Sequence, residues 1–403
     1  MRVLEYRCYG TQEQYDLIDE AIRTARFIRN KCIRLWMDSK GSEEQVGKYA
    51  LSAYSTELRK EYPWCRKLNS TAVQAAAERS WSSIHRFYKN AKNGVRPVGY
   101  PKFQKEHQSR SVEYKHSGWN LDLRERRIVF NDGFGIGTLR LRGTWPGELV
   151  ESGVIRRVRL VRKADGYYVQ LVVAGIEREE YEEATGKAIG LDVGLESFYT
   201  DSEGHKVENP RYLRKSEKSL KRLQRRVSRK HRKGQKQSAN YKKARQRLAK
   251  KHLKVSRQRR DHAIKTARCV VRSNDLIAYE DLRVRNMVKN HCLAKSISDA
   301  GWSMFRQWLE YYGGVYGKVT VAVPPAYTSQ ECSLCGRVVK KSLSSRTHAC
   351  ICGLLLDRDE NAAKNVLQRG LCTVGHTGTN AWGEGIRPAN TEATLVEPRI
   401  PHL

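Results

Sequence analysis

Four cysteines near the C-terminal end are spaced for a tetrahedral metal: Cys332-x-x-Cys335, fourteen residues, then Cys350-x-Cys352. Zinc takes soft thiolates, and a cysteine pair on a tight turn delivers two of them. Gly336 and Gly353 follow the second cysteine of each pair, and glycine admits the turn conformations that aim both sulfurs at one point. His348 is an alternative to Cys350 as a ligand, and the pairs could also have arisen by chance. Four protein ligands close the shell, so one structural Zn²⁺ is expected. The N-terminus has no apolar signal core. The ten cysteines are therefore expected in a reducing compartment, where clustered cysteines hold metal and most single ones are small buried apolar residues.

Three acids stand at the ends of predicted elements. Asp192 closes the run Ala188-Ile-Gly-Leu-Asp192, Glu280 closes Leu276-Ile-Ala-Tyr-Glu280, and Asp359 opens Asp359-Glu-Asn-Ala-Ala-Lys-Asn. Phosphodiester hydrolysis needs an activated water and a stabilised leaving oxygen, and two Mg²⁺ ions held by carboxylates supply both. Acids at two strand ends and one helix start can converge on one sheet edge, as RNase H-type folds arrange them. Rival readings stay open on residue pattern alone. Asp359 would also serve as an N-cap, Asp357 lies two positions earlier, and Asp281 adjoins Glu280.

Positioning these groups requires strands and helices of definite placement. Residues 1–10 read as a strand. Thr11 and Gln14 make a capping box, and Ile18, Ala21, Ile22, Ala25, Ile28, Cys32 and Trp36 recur at helical spacing. Further helices are predicted near 43–60 and 70–91. The stretch 94–101 (GVRPVGYP) ends the helical pattern. Strands follow at Ile128–Phe130, Leu139–Leu141, Val154–Arg162 and Tyr167–Val173, the last two joined by the turn Ala164-Asp165-Gly166. Beyond 186 come the strand Ala188–Val193, a hairpin over 197–207, the strand Leu276–Tyr279, the helix Trp302–Tyr316, the strand Val319–Val323 and a helix from Asp359 to Arg369. The segment after Gly370 is rich in Gly, Thr, Asn and Pro and is predicted to be poorly ordered.

The partner is set by charge. The 403 residues carry a formal net charge of +33, an excess that calls for a polyanion, and nucleic acid is the densest one. Close to half of residues 211–260 are Lys or Arg, and Glu217 is the only acid among them. Leu220, Leu223 and Val227, then Tyr241, Ala244 and Leu248, keep helical periodicity. A helical hairpin with phosphate-facing sides is expected there in place of a solvated charge run. Twenty Tyr and eight Trp argue against wholesale disorder and offer stacking surfaces for unpaired bases. No stretch has the length and apolarity of a membrane span.

The motifs Gly190-Leu-Asp192-Val-Gly-Leu, Tyr279-Glu280-Asp-Leu, Thr328-Ser-Gln-x-Cys332-x-x-Cys335-Gly and Asp357-Arg-Asp359-x-Asn-Ala-Ala, with Ser296-Ile-Ser-Asp-Ala-Gly-Trp302 and Tyr100-Pro-x-Phe103, resemble the TnpB family of transposon-encoded, RNA-guided endonucleases. The resemblance implies an α+β multidomain chain. It comprises a β-barrel wedge domain (1–10 and 94–185), an inserted helical recognition module (11–93), and an RNase H-like (RuvC) α/β nuclease domain (186–326 and 356–370) carrying the basic hairpin 211–262. A zinc-ribbon-like insertion (327–355) and a tail (371–403) complete it. It places Asp192, Glu280 and Asp359 at the catalytic Mg²⁺ positions, with Cys332, Cys335, Cys350 and Cys352 on zinc. It implies a guide RNA from the transposon end, double-stranded target DNA beside a short adjacent motif, cutting of both strands by one site, and action in the prokaryotic cytoplasm at the nucleoid. Gln74, on the helix predicted near Ser70, is a further expectation as a reader of a base edge. The rival functions are a transposase of RNase H-like fold, a nuclease-inactive guide-directed repressor, and a zinc-ribbon RNA-binding protein.

Overall fold

The computed structural model describes residues 2–39, 46–143, 153–174, 184–342 and 345–375. The chain divides into two compact units, Met1–Ile176 and Glu177–Leu403. Among the described residues no helix is long and apolar enough to cross a membrane.

In the first unit, β1 (Arg2–Tyr9) leads into α1 (Gln12–Asp38), α2 (Lys48–Glu61), a short 3-10 turn and α3 (Ser70–Lys92). The capping box forms: Thr11 Oγ1 accepts from the Gln14 amide at 3.3 Å, and Gln14 Oε1 accepts from the Thr11 amide at 2.9 Å. Six strands follow: β2 (Ser111–Tyr114), β3 (Trp119–Asp122), β4 (Arg127–Phe130), β5 (Gly137–Arg142), β6 (Val154–Lys163) and β7 (Gly166–Ala174). They join β1 in one antiparallel sheet of order β2-β6-β7-β1-β5-β4-β3. Among the described strands this sheet does not close, so the expected barrel is a half-barrel instead. Its edge strands β2 and β3 are consecutive in the chain, so the connection Lys115–Gly118 spans at most roughly 17 Å between them. That short link forces the sheet to curl, while α1 and α3 pack at β2. Neither edge strand was legible in the sequence. Each has four residues, and β2 carries Glu113, a buried acid paired with Arg157 at 2.5 Å and with Arg159. One apolar core joins helices and sheet, with Ile18, Ile28, Leu51, Ile84, Val112, Leu139 and Leu171 all fully buried.

The second unit contains β8 (Ala188–Asp192), β9 (Ser197–Asp201), β10 (Lys206–Glu208), α4 (Tyr212–Lys230), α5 (Ala239–Ser273), β11 (Leu276–Glu280), α6 (Val284–Met287), α7 (Ala294–Ala300), α8 (Trp302–Tyr316), β12 (Val319–Val323), β13 (Thr347–Ala349), β14 (Leu355–Asp357) and α9 (Arg358–Val374). Its main sheet has the order β10-β9-β8-β11-β12. β8, β11 and β12 run parallel, β9 runs antiparallel to β8, and β10 runs antiparallel to β9. Parallel strands are covered on both faces, which is why they read as nearly continuous apolar runs. Ile189, Leu191, Ile277 and Tyr279 pack against α5, α7 and α8. Ala188, Leu276 and Ala278 pack against Val366, Leu367 and Leu371 of α9.

The basic hairpin closes through Leu220 and Val227 of α4 against Leu248 and Val255 of α5. Its second helix continues past 262 to Ser273, where Ala263, Ala267, Val270 and Val271 enter the main core. The poorly ordered tail expected from 371 is corrected at its start: α9 runs on to Val374 and is capped by Gly375 at φ 80°. Gly370 is not a helix stop. A Cβ there would sit 2.5 Å from the Ala278 Cβ, so this glycine lets the helix lie close on the sheet. The rest of that expectation, 376–403, lies outside the described residues.

Candidate active site and zinc centre

The register of β8 with β11 pairs Leu276 with Ala188 and Tyr279 with Leu191. One step further, Glu280 stands level with Asp192 at the carboxyl ends of two adjacent parallel strands. Side chains alternate between faces. Asp192 shares its face with Ala188 and Gly190, and Glu280 shares its face with Leu276 and Ala278. Both acids therefore lie on the side covered by α9. A Cβ on Gly190 would clash with the Ala363 carbonyl oxygen, so the glycine of the Gly-Leu-Asp motif is what lets α9 approach β8. The first turn of that helix carries Asp359.

Asp192 is the acid on which the neighbouring negative charges act. Burial, followed by the charges of Glu280 and Asp359, pushes Asp192 well above the usual carboxylate range. Burial also raises Glu280, against the Thr328 hydroxyl and the Arg369 charge. An acid raised by burial and then by two acidic neighbours is not fully compensated by the cations around it. Hard oxygen ligands of this kind suit Mg²⁺. The donor set thus fits the metal, and Asp192, Glu280 and Asp359 are the residues that would hold it.

The rival acids have other roles. Asp357 caps α9, accepting from the amides of Asp359 at 2.9 Å and Glu360 at 3.4 Å, and its other oxygen takes Lys206 Nζ at 2.7 Å. Against burial, these partners hold it below the usual range. Asp281 is exposed and pairs with Arg306. Asp359 has a weaker neighbour, Arg346, whose Nη1 is 3.8 Å away and whose Nη2 reaches Glu196 at 2.7 Å.

The four cysteines converge. The sulfurs of Cys332 and Cys352 are 3.6 Å apart, as are those of Cys335 and Cys350, and all four thiols are free of disulfides. Among the described residues they are the one group of three or more metal-ligating side chains whose ligand atoms all lie within 4.8 Å of one another. Burial pushes the Cys332 thiol up, but the amides of Cys335 and Leu334 outweigh it and bring the value down to about 6. Against the Leu354 amide, burial and the hydrogen bonds with Cys350, Cys332 and Cys335 push the Cys352 thiol up to about 12, so it is the convergence of four sulfurs that fits zinc. His348 stands outside this group of four; it is fully buried, with Nδ1 against Lys341 Nζ. Of the six other cysteines, Cys8, Cys32 and Cys65 are buried, while Cys269, Cys292 and Cys372 are exposed. The expectation of mostly buried single cysteines holds for half of them: Cys269 and Cys372 lie on exposed helix positions and Cys292 in an exposed turn.

The cysteine module is tied to the acids by residues whose roles the sequence did not reveal. Thr328 Oγ1 donates to Glu280 Oε1 at 2.7 Å. Asn365 Nδ2 donates to the carbonyls of Thr328 and Glu331 at 2.8 and 2.7 Å. Asn361 bridges the Glu331 carbonyl and the Ser333 amide. Arg369 donates to the carbonyls of Pro324 and Ala326. One face of α9 (positions 361, 365 and 369) thus clamps the turn segment leading into Cys332. The only sequence signal was the four-residue spacing of these polar residues on a helix. Replacing Thr328 by Val is expected to lower metal-dependent cleavage about 10- to 100-fold with nucleic-acid affinity unchanged, because Glu280 loses its orienting donor. Single-turnover cleavage beside a binding titration checks it. Gln74 lies elsewhere, exposed on α3 in the first unit, where its Oε1 meets Lys115 Nζ at 3.3 Å.

These features define a class: an α/β protein with a carboxylate cluster at the carboxyl edge of its sheet, a four-cysteine module clamped beside it, and a strongly basic helical hairpin. Comparison with known proteins agrees. Residues 170–291 match the profile of the OrfB_IS605 family, described as "Probable transposase", and residues 302–366 match the Cas12f1-like TNB domain. A relative from Streptomyces pristinaespiralis, named "Putative RNA-guided DNA endonuclease", is 32% identical over 397 residues, covering 96% of this chain and 92% of the relative. InsQ of Escherichia coli (strain K12), similarly named, is 29% identical over 327 residues, 77% of each chain. The protein in a cryo-EM structure of a Cas12f1-sgRNA-target DNA complex superposes with a TM-score of 0.57 at 14% identity, over 88% of this chain and 83% of that one. The fold is therefore Cas12f1-like, and the chain belongs to the TnpB family.

Proposed function

We propose that the chain is an RNA-guided, Mg²⁺-dependent DNA endonuclease. Its second unit works as an RNase H-like (RuvC-type) nuclease with a zinc-ribbon-like insertion, and its first unit as the wedge and recognition part. The carrying observation is the convergence of Asp192, Glu280 and Asp359 on one sheet edge, while Asp357 and Asp281 are engaged elsewhere. Two Mg²⁺ ions held there would supply an activated water and stabilise the leaving 3′ oxygen. Asp192 stands centrally, raised by both other acids. Glu280 is oriented by Thr328, and Asp359 is placed by the Asp357 cap. One such site would cut both strands in turn once the duplex is opened. A guide RNA from the transposon end would select the DNA by pairing, beside a short adjacent motif for which Gln74 is the proposed reader. The place of action would be the prokaryotic cytoplasm, at the nucleoid.

Co-purification with RNA that ends in transposon-flanking sequence, followed by Mg²⁺-dependent cutting of a matching duplex, tests this reading. Absence of discrete RNA would remove the guide from it. Joined strands on the same gel in place of cut ends would favour a transposase, and binding without cutting a repressor.

Charge supports the partners. The crevice between α4 and α5, about 390 Å³, is lined by Arg226, Lys230, Lys243 and Arg247 with Asn240, and none of these cations has an acidic partner among the described residues. Affinity for nucleic acid is expected to fall linearly with the logarithm of salt. Replacing Arg226 and Arg247 by Ala is expected to reduce that slope by about two, one for each phosphate no longer neutralised. A filter-binding salt series reads it, and an unchanged slope would remove the hairpin from the interface.

A further inference from the structure

Beside Glu280 the second unit holds a cavity of about 280 Å³ that the nuclease chemistry does not use. Its walls come from the end of β11, from Leu282 and Val284 just beyond it, and from α8, with Val193, next to Asp192, also on the lining. Tyr279, Trp302 and Phe305 make it aromatic. Three of its polar groups are unspent. Among the described residues the Ser303 hydroxyl and the Gln307 amide make no hydrogen bond, and the indole N–H of Trp302, itself 6% exposed, has no partner. Unpaired buried donors are uncommon in a native fold.

The charge of the lining decides the ligand class. Glu280 and Glu310 face a single cation, Arg306, which already pairs with Glu310 at 2.8 Å. Tyr279 also donates to Glu310 at 2.8 Å. A phosphate would meet net negative charge here. A flat neutral heteroaromatic ring would meet aromatic walls and both donors and acceptors at its edge. We propose that this cavity is a nucleobase subsite, taking the base of a nucleotide next to the phosphodiester presented to Asp192, Glu280 and Asp359. It rests on the nuclease reading above. Docking one base beside Glu280 holds its sugar and phosphate at the sheet edge, so the cavity sets which bond along an unpaired strand meets the acids. Gln307 offers a donor and an acceptor together, the pairing an adenine edge presents.

The first test needs no metal and no cutting. The full chain, co-purified with its RNA, is titrated in EDTA with a single-stranded 20-mer in which 2-aminopurine, an adenine analogue, is moved one position at a time. One position is expected to change fluorescence on binding while its neighbours do not. Ser303→Trp, which fills the mouth from an exposed helix position, is expected to erase that change. Gln307→Ala is expected to weaken it roughly tenfold in affinity. In Mg²⁺, an abasic residue at the same position is expected to lower cleavage roughly tenfold in wild type, with no further loss in Ser303→Trp. Uniform fluorescence along the strand, or a signal that survives Ser303→Trp, overturns the subsite. That failure is distinct from failure of the nuclease reading, which would show as cleavage surviving Asp192→Ala whatever the fluorescence.

Discussion

Asp192→Ala is expected to abolish metal-dependent DNA cleavage, by about a thousandfold or more, and to leave RNA and DNA binding intact. The magnitude follows from position. Asp192 is the acid that both Glu280 and Asp359 act on, and a site whose ligands act as a unit loses nearly everything with one member. Affinity rests on surfaces elsewhere, chiefly the basic hairpin, so a gel-shift titration should superpose on wild type. Cleavage at more than a few per cent of the wild-type rate would show that Asp192 is not a metal ligand. The same residue carries a stability cost of known sign. Its folded-state pKa is raised, so without divalent cation the native state holds the proton more tightly than the unfolded chain. Stability is then lost as pH rises from the ordinary Asp range through the raised value. Asp192→Asn is expected to remove that loss and, in EDTA at neutral pH, to raise the melting temperature of the second unit. A variant that cuts nothing and melts higher is the combined signature of a site kept for function at the cost of stability.

Cys352→Ser is expected to release the zinc and to lower cleavage about a hundredfold. Structural zinc contributes on the order of 10 kcal/mol of apparent binding free energy to a small module, more than the short β13–β14 ladder over Thr347–Ala349 and Leu355–Asp357 supplies alone. Without it, the loops between Cys332 and Cys352 should open to trypsin at Arg337 and Lys340, while fragments of the first unit stay intact. Catalysis falls because the turn segment entering this module carries Thr328, whose hydroxyl orients Glu280. Metal content by mass spectrometry, limited proteolysis and single-turnover cleavage together read the effect. Full cleavage after complete loss of zinc would mean that α9, through Asn361, Asn365 and Arg369, holds Thr328 in place unaided.

Residue order was enough to announce the chemistry available and much of the local structure. Thiol spacing announced a metal centre because two tight turns suffice to build half of it each. Charge imbalance announced a polyanionic partner because no arrangement of so few acids can neutralise the hairpin. Helix α1 and the strands β8, β11 and β12 were legible because period and apolarity are properties of contiguous residues. The choice between acids of equal standing in the sequence had to await packing. Asp357 and Asp359 are two residues apart, yet one caps a helix beside Lys206 while the other stands with Asp192. That choice depends on where α9 lies, which Gly190 and Gly370 fix by admitting close approach to β8 and β11. The curl that leaves the first sheet open, the clamp by Asn361, Asn365 and Arg369, and the cavity walled by Tyr279 and Trp302 were likewise invisible. Each joins residues far apart in the chain, and no local pattern encodes a distance between segments before they pack.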